Sequence, residues 1–133
     1  MTYTVDTDKD GVLSITQHAY KYLVSEVGYN KASNTFDMVN ETDLNLNDIP
    51  VTDMKTKALS AFETYYLTNY KEAFTDEAKK KLGEEIEKAS FYLSGNKVVL
   101  YFNPGRILDE IILPQAVELD YDTEALKGNL VKK

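Results

Sequence analysis

Hydrophobic and polar positions follow a two-residue period at both ends of this chain and a helical period in between. Thr2-Tyr-Thr-Val5 reads as a strand. Asp6-Thr-Asp-Lys-Asp-Gly11 reads as a turn ending in Asp-Gly, a strong hairpin signal when β-formers flank it. From Val12 to Tyr22 two periods compete. As a strand, Leu13, Ile15, Gln17 and Ala19 share one face, and Ser14, Thr16, His18, Tyr20 and Tyr22 the other. As a helix from Ser14 onward, Ala19, Leu23 and Val27 fall four apart. The hairpin signal and the β-branched content favour a strand over 12–22. Gly28 to Asn34 is loop-like, Thr35 to Val39 a short strand, and Asn40 to Asp43 a turn. Leu44 and Leu46 alternate up to Ile49 before Pro50 ends the segment.

The period then becomes helical. Asp53 or Thr52 is placed to cap a helix running to about Lys71, with Met54, Ala58, Ala61, Phe62, Tyr65 and Tyr66 as a broad apolar face. Thr75 caps a second helix, with Asp76 and Glu77 in its first turn against the positive helix end. Ala78, Leu82, Ile86 and Ala89 form its buried stripe, and Lys79, Lys80, Glu84, Glu87 and Lys88 the wet face.

Residues 91–104 return to strand. Phe91-Tyr-Leu93 and the run Val98 to Phe102 flank Ser94-Gly95-Asn96, residues that tolerate a hairpin turn. Five consecutive β-branched, aliphatic or aromatic residues leave little room for a wet face, so Val98 to Phe102 belongs at the centre of a sheet. Asn103-Pro-Gly105 ends it, and Ile107, Leu108, Ile111, Ile112 and Leu113 form an apolar cluster. Ala116 to Tyr121 alternates as a strand, and 122–133 is a short helix or a frayed tail. Strands, two helices and strands again predict an α+β fold: a mostly antiparallel sheet covered on one face by two consecutive helices, in one domain over 1–133.

Composition sharpens this picture. Hydrophobic residues make up 43% of the 133, including ten tyrosines and five phenylalanines, which is the content of a globular chain. The net charge of −7, with lysines interleaved among acids, argues against nucleic acid and against an anionic membrane surface. It is compatible with a basic partner. Cysteine is absent, which excludes disulfides and thiolate chemistry. No apolar run is long enough to span a bilayer. The N-terminus is polar and enters a strand at once, so a signal or anchor is expected upstream of the segment.

Among candidate sites, Asp6-x-Asp8-x-Asp10-Gly11 with Leu13 and Ser14 copies most of an EF-hand calcium loop. It departs at the twelfth position, where Gln17 stands in place of the bidentate Glu. An acidic hairpin turn explains the same residues. A calcium-stabilised structural module over Asp6–Gln17 is therefore the alternative reading. His18 is the only histidine and reads as a sheet-surface residue. No nucleophile elbow or Gly-rich phosphate loop is present. Glu84, Glu85, Glu87, Asp109 and Glu110 are the acids from which a carboxylate-dependent hydrolase would draw a pair. Asn40-Glu-Thr42 matches a glycosylation acceptor and reads as a polar turn. No catalytic, cofactor-binding or metal-ligating residue is assigned, and no cofactor is expected.

Two groups of segments resemble a known family. The first is Gly11-Val-Leu-Ser-Ile15 leading to Tyr20-Lys-Tyr22, then Thr35-Phe-Asp-Met-Val39 and Leu44-Asn-Leu-Asn-Asp48. The second is Phe91-Tyr-Leu93 with Val98-Val-Leu-Tyr-Phe-Asn-Pro104 and Ala116-Val-Glu-Leu119. Their order resembles the RsiV-type extracytoplasmic domain. That bacterial domain, of largely unassigned function, occurs in lysozyme-sensing anti-sigma factors and ahead of some peptidoglycan deacetylase domains. Two family features are missing. A Tyr-x-Gly-Gly-Ala-His segment is replaced here by Tyr22-Leu-Val-Ser-Glu-Val-Gly-Tyr-Asn30, and a Tyr-rich stretch after Asn103-Pro104 by Gly105-Arg-Ile-Leu-Asp-Glu110. No functional residue is carried over. The resemblance implies a non-enzymatic extracytoplasmic binding or sensor domain, with a protein or cell-wall ligand such as a lysozyme-like basic protein.

Overall fold

The computed structural model describes residues 2–22, 27–108 and 114–130. It is α+β with antiparallel strands, as the pattern predicts, and the strands divide between two sheets. The long sheet has the order β1 (Thr2–Lys9), β2 (Val12–Tyr22), β3 (Val27–Asp37), β4 (Thr42–Asp43). The short sheet has the order β5 (Ser90–Ser94), β6 (Lys97–Phe102), β7 (Gln115–Asp120), with β6 in its centre as expected. Helices α1 (Met54–Asn69) and α2 (Asp76–Glu85) lie between the sheets in sequence. Helix α3 (Thr123–Asn129) follows β7 and is the short helix expected, as the alternative to a frayed tail, within 122–133.

Local chemistry explains most boundaries. Asp10 and Gly11 form the two-residue turn between β1 and β2, with φ of 54° and 83°. A type I′ hairpin turn needs positive φ at both positions. Space adds a second demand for glycine, because a Cβ on Gly11 would stand 2.6 Å from a Val39 methyl. The β1–β2 register shifts between Val5 and Thr7, leaving Asp6 as the extra residue of a β-bulge. Gly95, with φ of 62°, opens the β5–β6 turn. The Thr75 hydroxyl accepts from the Ala78 N–H as an N-cap. Asp53 stands at the N-cap of α1, but in the left-handed region with φ of 53° and without a side-chain capping bond.

Three segments differ from expectation. Residues 6–9, read as the first part of the turn, are strand: β1 runs on to Lys9, because Thr7, Asp8 and Lys9 pair with Ser14, Leu13 and Val12 and leave only Asp10-Gly11 to turn. β2 runs through the whole of 12–22, and its partner β3 begins at Val27, so the loop expected over 28–34 is strand. Gly28, Asn30 and Asn34 are weak β-formers; continuous pairing with β2 outweighs that preference. Leu46–Asp48, read as extended, is a 3₁₀ turn closed by the Asp48 carboxylate, which accepts from the Asn45 N–H at 2.7 Å. Of the apolar cluster after Pro104, Ile107 and Leu108 are buried. Ile111, Ile112 and Leu113 lie outside the described residues, as does Val131.

The core forms where α1 and α2 lie on the short sheet. Ala58, Phe62 and Tyr66 of α1 and Ala78 and Leu82 of α2 meet Leu93, Val98, Leu100 and Phe102. The Phe62 and Phe102 ring centroids are 4.9 Å apart, and Tyr66 stacks on Phe74 at 5.1 Å. The Tyr66 hydroxyl donates to the Gln115 side-chain oxygen at 3.0 Å in this dry interior. Val99 and Tyr101, on the opposite face of β6, are buried as well, so the strand is covered on both sides. That double burial is the physical origin of its unbroken apolar run.

The long sheet is built differently. Its inward side chains include Ser14, Thr16, Thr35 and Asp37, all buried, and among the described residues Val12 is its one contribution to the buried core. Leu13, Ile15 and Phe36 sit on the other face, since Leu13 pairs with Phe36 and Ser14 with Thr35.

Candidate functional site

The Asp6-x-Asp8-x-Asp10-Gly11 stretch is a β-hairpin, and its residues separate. Asp6 accepts from Thr16 on the inward face at 2.5 Å. Asp8 pairs with Leu13 on the outward face. Asp10 lies in the turn, 3.9 Å from the Lys127 ammonium. Gln17 pairs with Tyr3, also on the outward face. The ligand set of an EF-hand loop is thus split across two faces of a sheet. Among the described residues no group of three or more acidic or histidine side chains stands together as a metal site.

The other candidates also separate. The Glu85 carboxylate accepts from Arg106 Nε and Nη2 at 3.2 and 2.9 Å, and these hydrogen bonds hold it below the usual range. Glu87 is paired with Lys55 at 3.2 Å. Asp109 and Glu110 lie outside the described residues. The Asn40 amide is engaged locally, donating to Asp37 Oδ2 at 2.8 Å.

What the structure does assemble is a polar joint where the long sheet meets β5 and β6. The Thr16 hydroxyl donates to Asp6 and is 2.8 Å from Ser33 Oγ, which is 2.8 Å from the Tyr101 hydroxyl. Because Thr16 spends its proton on the carboxylate, it accepts from Ser33, and Ser33 in turn accepts from Tyr101. Every proton in the chain therefore points toward Asp6. The Lys31 ammonium lies 5.4 Å from the Tyr92 ring centre and 5.6 Å from that of Tyr101. His18, half-buried, bonds Thr4 Oγ1 through Nε2 at 2.7 Å.

The electrostatics follow from partial burial. Loss of water pushes the Asp6 carboxyl up, against the Thr16 bond and the charges of His18 and Lys31. The same loss pushes Lys31 down, against attraction from Asp6. Tyr92 and Tyr101 are both raised, chiefly by burial.

Main-chain bonding completes the joint. The Asn103 side chain accepts from the Lys31 N–H at 2.9 Å and donates to the Lys31 carbonyl at 2.8 Å, acting as a surrogate strand residue. Leu93 of β5 donates its N–H to Ser14 Oγ at 3.0 Å, and its carbonyl accepts from Thr7 at 2.6 Å. The open edge of β5 is thus closed by hydroxyls of β1 and β2. Sequence reasoning found the hairpin and Asn103-Pro104 but not this assembly. The available signal was the row of small hydroxyl residues at alternate positions: Ser14 and Thr16, Ser33 and Thr35. A groove of about 370 Å³ runs along the other end of that row, between Asn47 and Ser90.

No family model and no curated protein matches the chain. Among solved structures it is similar to a member of the DUF3298 family from Bacteroides fragilis, with a TM-score of 0.61 and 19% sequence identity. The match covers 98% of this chain and 56% of that one, so the chain spans little more than half of its neighbour's length. DUF3298 is the family of RsiV-like domains. At this identity the likeness is one of fold.

Proposed function

We propose that this chain is an RsiV-like domain that acts as a non-enzymatic binding or sensor module in the extracytoplasmic part of a bacterial cell-envelope protein. Its ligand is a protein or a cell-wall component. The observation that carries the reading is the fold shared with a DUF3298 member along 98% of the chain, together with the motif order that resembles the same family. Two further features support it. The side chains of the inter-sheet joint spend their bonding capacity on one another and on strand edges, which suits a scaffold better than turnover. The charge of −7 suits a basic protein, lysozyme being the example the family resemblance supplies.

Titration calorimetry against lysozyme and against soluble peptidoglycan fragments tests the proposal. Binding to one of them is expected, and for lysozyme the affinity should fall as salt is added, because exposed charges are screened within about 10 Å at 0.1 M. Absence of heat and of co-migration with both ligands removes the functional reading and leaves the fold.

A further inference from the structure

We propose that the outward face of the long sheet is an interface with a second copy of this chain. The sheet is inverted relative to the usual rule. Its inward face presents hydroxyls to the body of the protein, and its outward face presents Tyr3, Val5, Leu13, Ile15, Ala32 and Phe36, with Asn34 beside Ile15 and Gln17 between Tyr3 and Ala32. Tyr3 is 67% and Val5 62% exposed, and Ala32 is exposed too. Neither Leu13, Ile15 nor Phe36 belongs to the hydrophobic core or packs against it. Among the described residues the long sheet meets the rest of the molecule through β5, through Val12 in the core and through polar contacts on its inward side; α1 and α2 share the core of the short sheet. A sheet face with an uncovered apolar patch of this kind, carrying the uncharged amides of Gln17 and Asn34 among its apolar side chains, marks an interaction surface.

Charge selects the occupant. In a chain of net charge −7, the described side chains of this face include two charges, Asp8 and Asp43. Both lie in one row, on the outermost strands, flanking Leu13 and Phe36. The centre is uncharged, which is the anatomy of an interface core with a charged rim. A basic ligand answering the net charge finds few counter-charges here. An identical face does fit: a two-fold axis that reverses strand direction lays apolar centre on apolar centre and sends the two acidic ends apart. Two sheets packed face to face at about 10 Å and about −30° are an ordinary protein core. The inference is independent of the ligand proposed above, since lysozyme titration and self-association are separate measurements.

Sedimentation velocity and light scattering over a dilution series test it. A concentration-dependent dimer is expected. Val5→Lys and Ala32→Glu, both at exposed positions where folding is undisturbed, should each raise its dissociation constant at least about tenfold, or about 1.4 kcal/mol. Leu67→Lys places the same kind of charge on α1, at another exposed apolar residue, and should leave the dimer intact. Circular dichroism of all three confirms the fold. A monomer at every concentration overturns the proposal. So does a dimer indifferent to Val5→Lys and Ala32→Glu, or one that Leu67→Lys disrupts equally.

Discussion

Single residues in this fold are held by polar partners whose cost is set by burial. The Asp6 carboxyl is raised by loss of water, more than Thr16, His18 and Lys31 lower it. A carboxyl raised on folding contributes stability that is fully present below its ordinary value of 3.8 and is lost as pH rises through the folded value. Asp6→Asn keeps an oxygen for Thr16 and carries no charge. It should raise the melting temperature at neutral pH, with the gain fading in acid below 3.8; paired thermal scans at the two conditions decide this. The tyrosines give the complementary alkaline case. Tyr66, Tyr92 and Tyr101 are all raised, by burial first, above 10.0. Their contribution is complete below 10.0 and disappears as pH rises through the folded values. The last part of the phenolate absorbance, contributed by these three rings, should therefore appear together with loss of circular dichroism, not ahead of it. Tyr66→Phe removes the donor to Gln115 in a dry interior and should cost about 1–3 kcal/mol in denaturant titration.

At the scale of elements, the sequence was readable where one local force dominates. Asp10-Gly11 and Gly95-Asn96 mark their turns by backbone freedom; the second hairpin is where the pattern puts it, and the first turns at the expected Asp-Gly but with residues 6–9 paired as strand instead of turn. Thr75 starts α2, and the stripe Ala78, Leu82, Ile86 is buried as its spacing requires. β3 was not readable in full, because residues 28–34 are strand by virtue of a partner and not of their own preference. The inter-sheet joint was hidden for a similar reason. Asp6 reaches Thr16 through a bulge, and Asn103 reaches Lys31 across 72 positions; no local pattern encodes either. Helix α2 offers a direct test of the local terms. Gly83 lies inside it, and a Cβ there meets nothing within 4 Å. Gly83→Ala should stabilise the protein by about 0.5–1 kcal/mol, since the helix already imposes a conformation alanine prefers. A neutral or negative shift in the denaturation midpoint would mean that the turn needs glycine for a reason beyond helix propensity.

For the molecule as a whole, the two sheets are held by different forces, and that difference predicts how it opens. The short sheet shares a dry core with α1 and α2, where each buried large side chain is worth about 1.5–3 kcal/mol. Among the described residues the long sheet contributes Val12 to that core, sets Lys31 against the Tyr92 and Tyr101 rings, and attaches chiefly through hydrogen bonds: Thr7 and Ser14 to Leu93, Ser33 to Tyr101, and Asn103 to Lys31. Each is worth about 0.5–1.5 kcal/mol net, because water replaces it on opening. Separation of the long sheet should therefore cost less than global unfolding. Native-state hydrogen exchange reads this directly. Amides of β6 should exchange only with the global transition, and amides of β2 and β3 through a lower-energy opening. Asn103→Ala removes both bonds to Lys31, so it should speed exchange in β3 while β6 remains tied to global stability. Equal exchange free energies in β3 and β6 would contradict this division and make the polar joint as firm as the core. Dimerisation through the outward face adds a condition of its own: protection of the long sheet should rise with protein concentration, because association stabilises the attached form by mass action.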